Sequence, residues 1–245
     1  MNANLLEVER LGKRFGGFVA LEGIDLDVQP GERLGLIGPN GSGKSTLVNC
    51  VCGTLHHETG SVRFAGQLLD GLPAHRRTHL GLARSFQLPR PFASLSLADN
   101  VRVPLLYTVG RRARTDASAT DLDARCRQLL AEVGLEGKAH HGTGDLTQVE
   151  MRKLELARAM AAEPRLLIAD EAMAGLSHSE IEDIIALLLR VNGQGVTVIL
   201  IEHIMRAVMS FSQRLVVLVS GRKVADGAPA DVVNNPEVVS AYLGQ

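Results

Sequence analysis

The chain has 245 residues, 45% of them hydrophobic and 22% charged, with a net charge of −1 at pH 7. That length suits one large domain or a core with a smaller inserted lobe, and the near-neutral balance offers no basic field for nucleic acid or an anionic membrane surface. No apolar run approaches the roughly 20 residues of a membrane span. The start, MNANLLEVER, has neither the basic nor the apolar region of a secretory signal, and Cys50, Cys52 and Cys126 lack metal-site spacing.

The first third reads as strands. In 23–28 the apolar Ile24, Leu26 and Val28 alternate with Asp25 and Asp27, the period of a half-exposed strand, and 61–65 repeats the pattern between Gly60 and Gly66. Between them Arg33–Ile37 runs into a glycine-rich turn and then a helix over 44–51. That turn, Gly38-Pro39-Asn40-Gly41-Ser42-Gly43-Lys44-Ser45, fits G-x-x-x-x-G-K-[ST] in the strand–turn–helix setting the motif requires. Its glycines allow successive N–H groups to face one anion, and the helix that follows adds its positive end. Lys44 is placed to reach the β- and γ-phosphates and the Ser45 hydroxyl to ligate Mg²⁺.

The middle changes character. Residues 88–162 hold the prolines Pro89 and Pro91, a Ser96-x-x-Asp99 helix start, and two helical stretches separated by a polar segment, 110–120, read as a mobile surface loop. The last third alternates strand and helix over 166–169, 181–191, 196–201, 205–211 and 215–219, which implies a parallel sheet with crossover helices. Ser177-x-x-Glu180 is a capping box for the second of these elements. The strand 166–169 ends in Asp170 and Glu171, at the edge where open α/β sheets bind ligands. Asp170 suits an outer-sphere hold on Mg²⁺, and Glu171, pointing differently, suits polarisation of an attacking water. Taken alone, an Asp-Glu pair after an apolar run is also a common solvated strand end.

Taken in order, KRFGG, GPNGSGKST, RSFQ (84–87), LTQVE (146–150) with LELARAM, LLIADE and IEH (201–203) resemble the ABC ATPase family over essentially the whole chain. The resemblance implies a P-loop NTPase core of RecA-like α/β type, with an N-terminal antiparallel β subdomain and an inserted helical subdomain. The core would comprise 1–87 and 163–245, and the helical part, 88–162, would carry the signature segment. It further implies that adenine stacks on Phe15, a contact worth roughly 1–3 kcal/mol, and that Thr46 completes the phosphate loop. Gln87 would touch Mg²⁺ and the water, and His203 would hold the γ-phosphate and Glu171 in register. Thr147 and Gln148 would face the ATP of a second ATPase subunit, either an identical copy or a paralogue. RSFQ and the C-terminal GRKVADGAPADVVNNPEVVSAYLGQ look like the branched-chain amino-acid uptake class. That class implies a transmembrane permease, a solute-binding protein outside, and a place on the cytoplasmic face of the inner membrane.

The sequence departs from the family pattern in two places. Leu146-Thr147-Gln148-Val149-Glu150 stands where Leu-Ser-Gly-Gly-Gln is usual, so the hydroxyl and helix start remain while both glycines are gone. β-Branched Val149 resists positive φ, and Glu150 adds negative charge near an anion, so weaker signature function is expected. Ala172 follows Glu171 where a proline is usual, and Ser177 stands where an aspartate is frequent. Two other readings stay open on sequence: an ABC-type ATPase of DNA repair or ribosomes, and a P-loop kinase or GTPase. The first is disfavoured by the lack of a basic patch and of long coiled-coil insertions. The GTPase form is disfavoured by the lack of an Asn-Lys-x-Asp segment.

Overall fold

The structure, a computed structural model, describes residues 4–86, 89–112 and 119–243. Two sheets face one another. The first is antiparallel, ordered β2-β1-β4-β5 and built from β1 (Leu6–Phe15), β2 (Phe18–Val28), β4 (Thr59–Phe64) and β5 (Gln67–Leu68). The second has six strands in the order β10-β9-β3-β8-β7-β6, formed by β3 (Arg33–Ile37), β6 (Leu82–Ser85), β7 (Leu166–Asp170), β8 (Thr197–Ile201), β9 (Arg214–Val219) and β10 (Arg222–Gly227). The pairs from β9 to β6 are parallel, and only β10 runs antiparallel to its neighbour.

Strands β7 and β8 are buried along their whole length, as expected for a parallel sheet covered on both faces. Their side chains alternate between two cores. Leu166 and Ile168 of β7, with Ile199 and Ile201 of β8, face the antiparallel sheet and helix α1 (Lys44–Cys52). Leu167 and Ala169, with Val198 and Leu200, face the helical side of the molecule. Helix α1 lies between the two sheets, with Leu47, Val48 and Val51 buried there.

Helix α2 (Ala74–Leu80) precedes β6, and the helical part follows it, built from α3 (Leu97–Arg112), α4 (Ala119–Glu132) and α5 (Gln148–Met160). Helices α6 (His178–Gly193) and α7 (Met205–Phe211) are crossovers, and α8 (Pro229–Val233) and α9 (Pro236–Leu243) close the chain. Buried Arg77 of α2 holds the end of α1: its Nη1 donates to the carbonyls of Cys50 and Val51 at 2.8 Å each, adding to the Gly53 N–H that Cys50 already accepts. Among the described residues no helix is long and apolar enough to cross a membrane.

Arg33–Ile37 and Met205–Phe211 match expectation, and most other elements differ from it by one to three residues at an end. Strand β1 escapes the alternation test because it bulges. Arg10 has φ 44°, its N–H turns to Asp25 Oδ1 at 2.7 Å, and the pairing with β2 shifts register beyond Val8. The expected polar loop 110–120 overlaps helix at both ends, since α3 runs to Arg112 and α4 starts at Ala119. Residues 113–118 lie outside the described part. The Ser96 and Ser177 helix starts are formed: Ser96 Oγ accepts from the Asp99 N–H at 3.1 Å, and the Glu180 carboxylate accepts from the Ser177 N–H at 2.7 Å.

Candidate active site

Strands β3, β8 and β7 are neighbours, so their C-terminal ends bring three loops to one edge of the sheet. β3 delivers the phosphate loop, β7 delivers Asp170 and Glu171, and β8 delivers Glu202 and His203. Such an edge is where open α/β sheets bind ligands.

The loop's curvature depends on two glycines in particular. A Cβ at Gly38 would lie 2.1 Å from the Leu218 carbonyl oxygen, and one at Gly43 would lie 2.7 Å from that of Ala20; their φ values are 151° and 104°. Lys44 Nζ donates to the carbonyls of Gly38 and Pro39 at 2.7 and 3.1 Å, drawing the ammonium into the mouth of the loop. Burial pulls its pKa below the ordinary lysine value, opposed by the charges of Glu171 and Asp170. Ser42 is buried, and its hydroxyl is without a hydrogen-bond partner among the described residues. Helix α1 begins at Gly43 with no side-chain cap and no acidic residue in its first turn. An open helix start, a buried donor hydroxyl and a partly buried ammonium together fit an anion such as a polyphosphate.

One cleft of about 220 Å³ is lined by Phe15, Phe18, Asn40, Gly41, Ser42, Gly43, Lys44, Ser45, Thr46 and Glu171. Phe15 is 51% exposed, which excludes a core role for it, and the Lys13 ammonium lies 5.4 Å from its ring centroid. Phe18, also exposed, lines the same cleft and is a residue the sequence reading missed. No motif marks it; the tight turn between β1 and β2, which pairs it with Phe15, puts it there.

Asp170 and Glu171 diverge. Buried Asp170 joins Ser45 in a second cavity, where its Oδ2 accepts from Arg84 Nη2 at 2.5 Å. Glu171 has φ 47°, a left-handed conformation costing of order 1–3 kcal/mol for a non-glycine residue. Its N–H donates to the Ile201 carbonyl at 2.9 Å, and the turn directs its side chain to the phosphate-loop cleft. For Mg²⁺, the Ser45 hydroxyl and the Asp170 carboxylate are hard oxygen donors facing one cavity, and they fit such an ion.

His203 is mostly exposed, with Nδ1 3.9 Å from Glu202 Oε2. Glu202 is fully buried and accepts from the Met173 N–H at 2.9 Å, which anchors the loop after Glu171. Burial raises its pKa, the Met173 and His203 N–H groups counteracting. It stands inside the IEH segment, but the sequence reading gave a role to His203 alone. Gln87 lies outside the described residues.

Thr147 and Gln148 are not brought to the phosphate loop. They open α5 in the helical part, and their side chains engage their own chain. Thr147 Oγ1 accepts from the Glu150 N–H at 3.3 Å, and Glu150 Oε2 accepts from the Thr147 N–H at 2.9 Å, a reciprocal capping box. Lys138 Nζ lies 2.6 Å from the other Glu150 oxygen. Gln148 Nε2 donates to the Ala174 carbonyl at 3.3 Å, over Gly175, whose φ is 79°. The Glu150 charge, expected as free negative charge beside an anion, is thus engaged by Lys138 and by the helix start.

Comparison with known proteins agrees with this arrangement. A family profile described as ABC transporter matches residues 21–174, and one described as Branched-chain amino acid ATP-binding cassette transporter matches 222–245. The chain is 37% identical to the high-affinity branched-chain amino acid transport ATP-binding protein BraF of Pseudomonas aeruginosa, over 100% of both chains. It is 36% identical to LivG of Escherichia coli K12, a protein of the same description, again over 100% of both. Among solved structures, MJ1267, an ATP-binding cassette of an ABC transporter in its ADP conformation, superposes with a TM-score of 0.88 at 27% identity, covering 99% of this chain and 100% of that one. The fold is that of the P-loop ATPase cassettes, and the chain belongs to the ABC transporter family, among the ATP-binding subunits that include BraF and LivG.

Proposed function

We propose that the chain, paired with a second ATPase subunit, hydrolyses Mg²⁺-bound ATP and powers uptake of branched-chain amino acids or a related small solute through a membrane permease. The observation that supports this best is the shared cleft, in which the phosphate loop, Phe15 and Glu171 meet. Phe15 stacks adenine, with Phe18 beside it. Lys44 neutralises β- and γ-phosphate oxygens, while the N–H groups of residues 40–46 cradle them. Ser45 and Asp170 would hold Mg²⁺, which when bound offsets phosphate charge; Gln87 is assigned to the same position by its place after RSF. Glu171 accepts a proton from the attacking water, and His203 keeps that carboxylate and the γ-phosphate in register.

The names of the full-length relatives support the solute class. In this reading 1–87 and 163–245 form the ATP-binding core, and 88–162 the helical subdomain that meets the permease. The permease would hold the chain at the cytoplasmic face of the membrane, and a solute-binding protein would deliver the solute from outside. Thr147 and Gln148 would complete the partner's ATP site.

Steady-state ATP hydrolysis by the purified chain across protein concentration tests this, with Glu171→Gln as control. A rate rising with the square of concentration means the chain pairs with itself. Tight ATP binding without turnover at any concentration means a paralogous ATPase, the permease or both are required. Failure to bind Mg²⁺-ATP at all would sink the reading.

A further inference from the structure

Arg84 of β6 joins two residues that lie far apart in the sequence. Its Nη1 donates to Asn49 Oδ1 at 2.6 Å and its Nη2 to Asp170 Oδ2 at 2.5 Å. The side chain is 13% exposed, and its buried Nε has no hydrogen-bond partner among the described residues. The guanidinium position is therefore set by these two acceptors and by Phe86, whose ring centroid is 5.3 Å away.

Asn49 and Ser45 sit four residues apart on α1 and so lie on one helix face, one turn from each other. Both line the cavity that Asp170 and Arg84 share. Arg84 consequently ties the helix carrying the Ser45 hydroxyl to the strand end carrying the Asp170 carboxylate. It engages one carboxylate oxygen, Oδ2. A planar guanidinium can hold two acceptors at a fixed separation, which the single ammonium of a lysine cannot.

We infer that Arg84 is a positioning residue for Mg²⁺: through Asn49 and Asp170 it fixes the spacing between the two side chains that would hold the ion. This rests on the proposed roles of Ser45 and Asp170. Orienting partners of this kind commonly change metal affinity by about 10–100-fold when removed.

The test uses the full chain and a fluorescent ATP analogue, measuring bound nucleotide as Mg²⁺ is titrated and again in EDTA. Arg84→Met should raise the Mg²⁺ midpoint about tenfold or more, with nucleotide binding in EDTA unchanged. Arg84→Lys, which keeps the charge and protects against misfolding, should recover only part of that shift. Asn49→Ala should shift the midpoint in the same direction and add nothing to Arg84→Met. If Asp170→Asn moves the midpoint while Arg84→Met does not, the inference on Arg84 is overturned and the metal reading stands. If Asp170→Asn leaves it unmoved, the metal reading itself falls and this inference with it. A parallel loss of EDTA binding in both Arg84 variants would assign the residue a merely structural part.

Discussion

The proposed function assigns phosphate to two helix starts of the molecule, and they are built in opposite ways. Helix α1 begins at Gly43 with no side-chain cap, no acid in its first turn, and a lysine folded over the loop. Helix α5 begins at Thr147 with a complete capping box, and its capping carboxylate is paired with Lys138. An uncapped start leaves N–H groups free for an anion, whereas the capping box satisfies two donors, the Thr147 and Glu150 N–H groups, within the chain and places a carboxylate at the helix start. Capping at α5 thus leaves fewer free donors for an anion than the open start of α1 does. It also gives a physical form to the weaker signature function expected here: Glu150 and Thr147 serve the helix first.

The largest expected effect lies at α1. Lys44→Ala should abolish tight Mg²⁺-ATP binding in a direct titration, and unchanged affinity would remove Lys44 from the phosphate role. Next, Glu171→Gln should leave ATP binding intact, lower hydrolysis by roughly 10²–10⁴-fold, and accumulate a closed pair visible by size-exclusion chromatography with ATP. Normal turnover in that variant would discard Glu171 as the base.

At α5 the effects are smaller and run differently. Glu150→Gln removes charge at a helix start, so in an active pair it should speed hydrolysis by about two- to fivefold, from the 0.3–1 kcal/mol typical of such charges. A slower enzyme would show that the carboxylate helps the site. Thr147→Ala should lower stability by about 1 kcal/mol through the lost cap, readable in urea unfolding. A full-strength fold in that variant would mean the cap seen here contributes nothing.

The smallest effect is one of pH. Lys138 holds the Glu150 carboxyl below its ordinary pKa, with the Thr147 N–H assisting. A carboxyl depressed in the folded state contributes stability above its unfolded pKa and loses it as pH falls through the folded value. Wild type should therefore exceed Lys138→Ala in thermal stability near pH 7, with the gap closing on acidification below the usual glutamate range. A gap independent of pH would show that the pair contributes by packing alone.

Reading the sequence goes far where chemistry is local. The strand–turn–helix order, the glycines at 38 and 43, and Lys44 and Ser45 all follow from short-range spacing, as do the acidic pair and the Ser177 helix start. It goes less far where contacts are long-range. Strand β1 was hidden because its bulge at Arg10 breaks the two-residue period. Phe18 carries no motif and Glu202, the middle of IEH, carries no separate role, and only the β1–β2 turn and the burial of the β8 end give them their places. Glu150 could be seen as a charge but not as a partner of Lys138, twelve residues earlier.

The sequence alone settled the phosphate-loop turn and the Ser177 helix start, because backbone conformation and helix capping depend on neighbouring residues, and its ordered motifs resembled an ATPase cassette with an altered signature segment. Tertiary structure alone decided which of its charges meet. Arg84 reaches Asn49 and Asp170 because α1 lies against the sheet and β6 pairs with β7, and no spacing along the chain encodes that strand order.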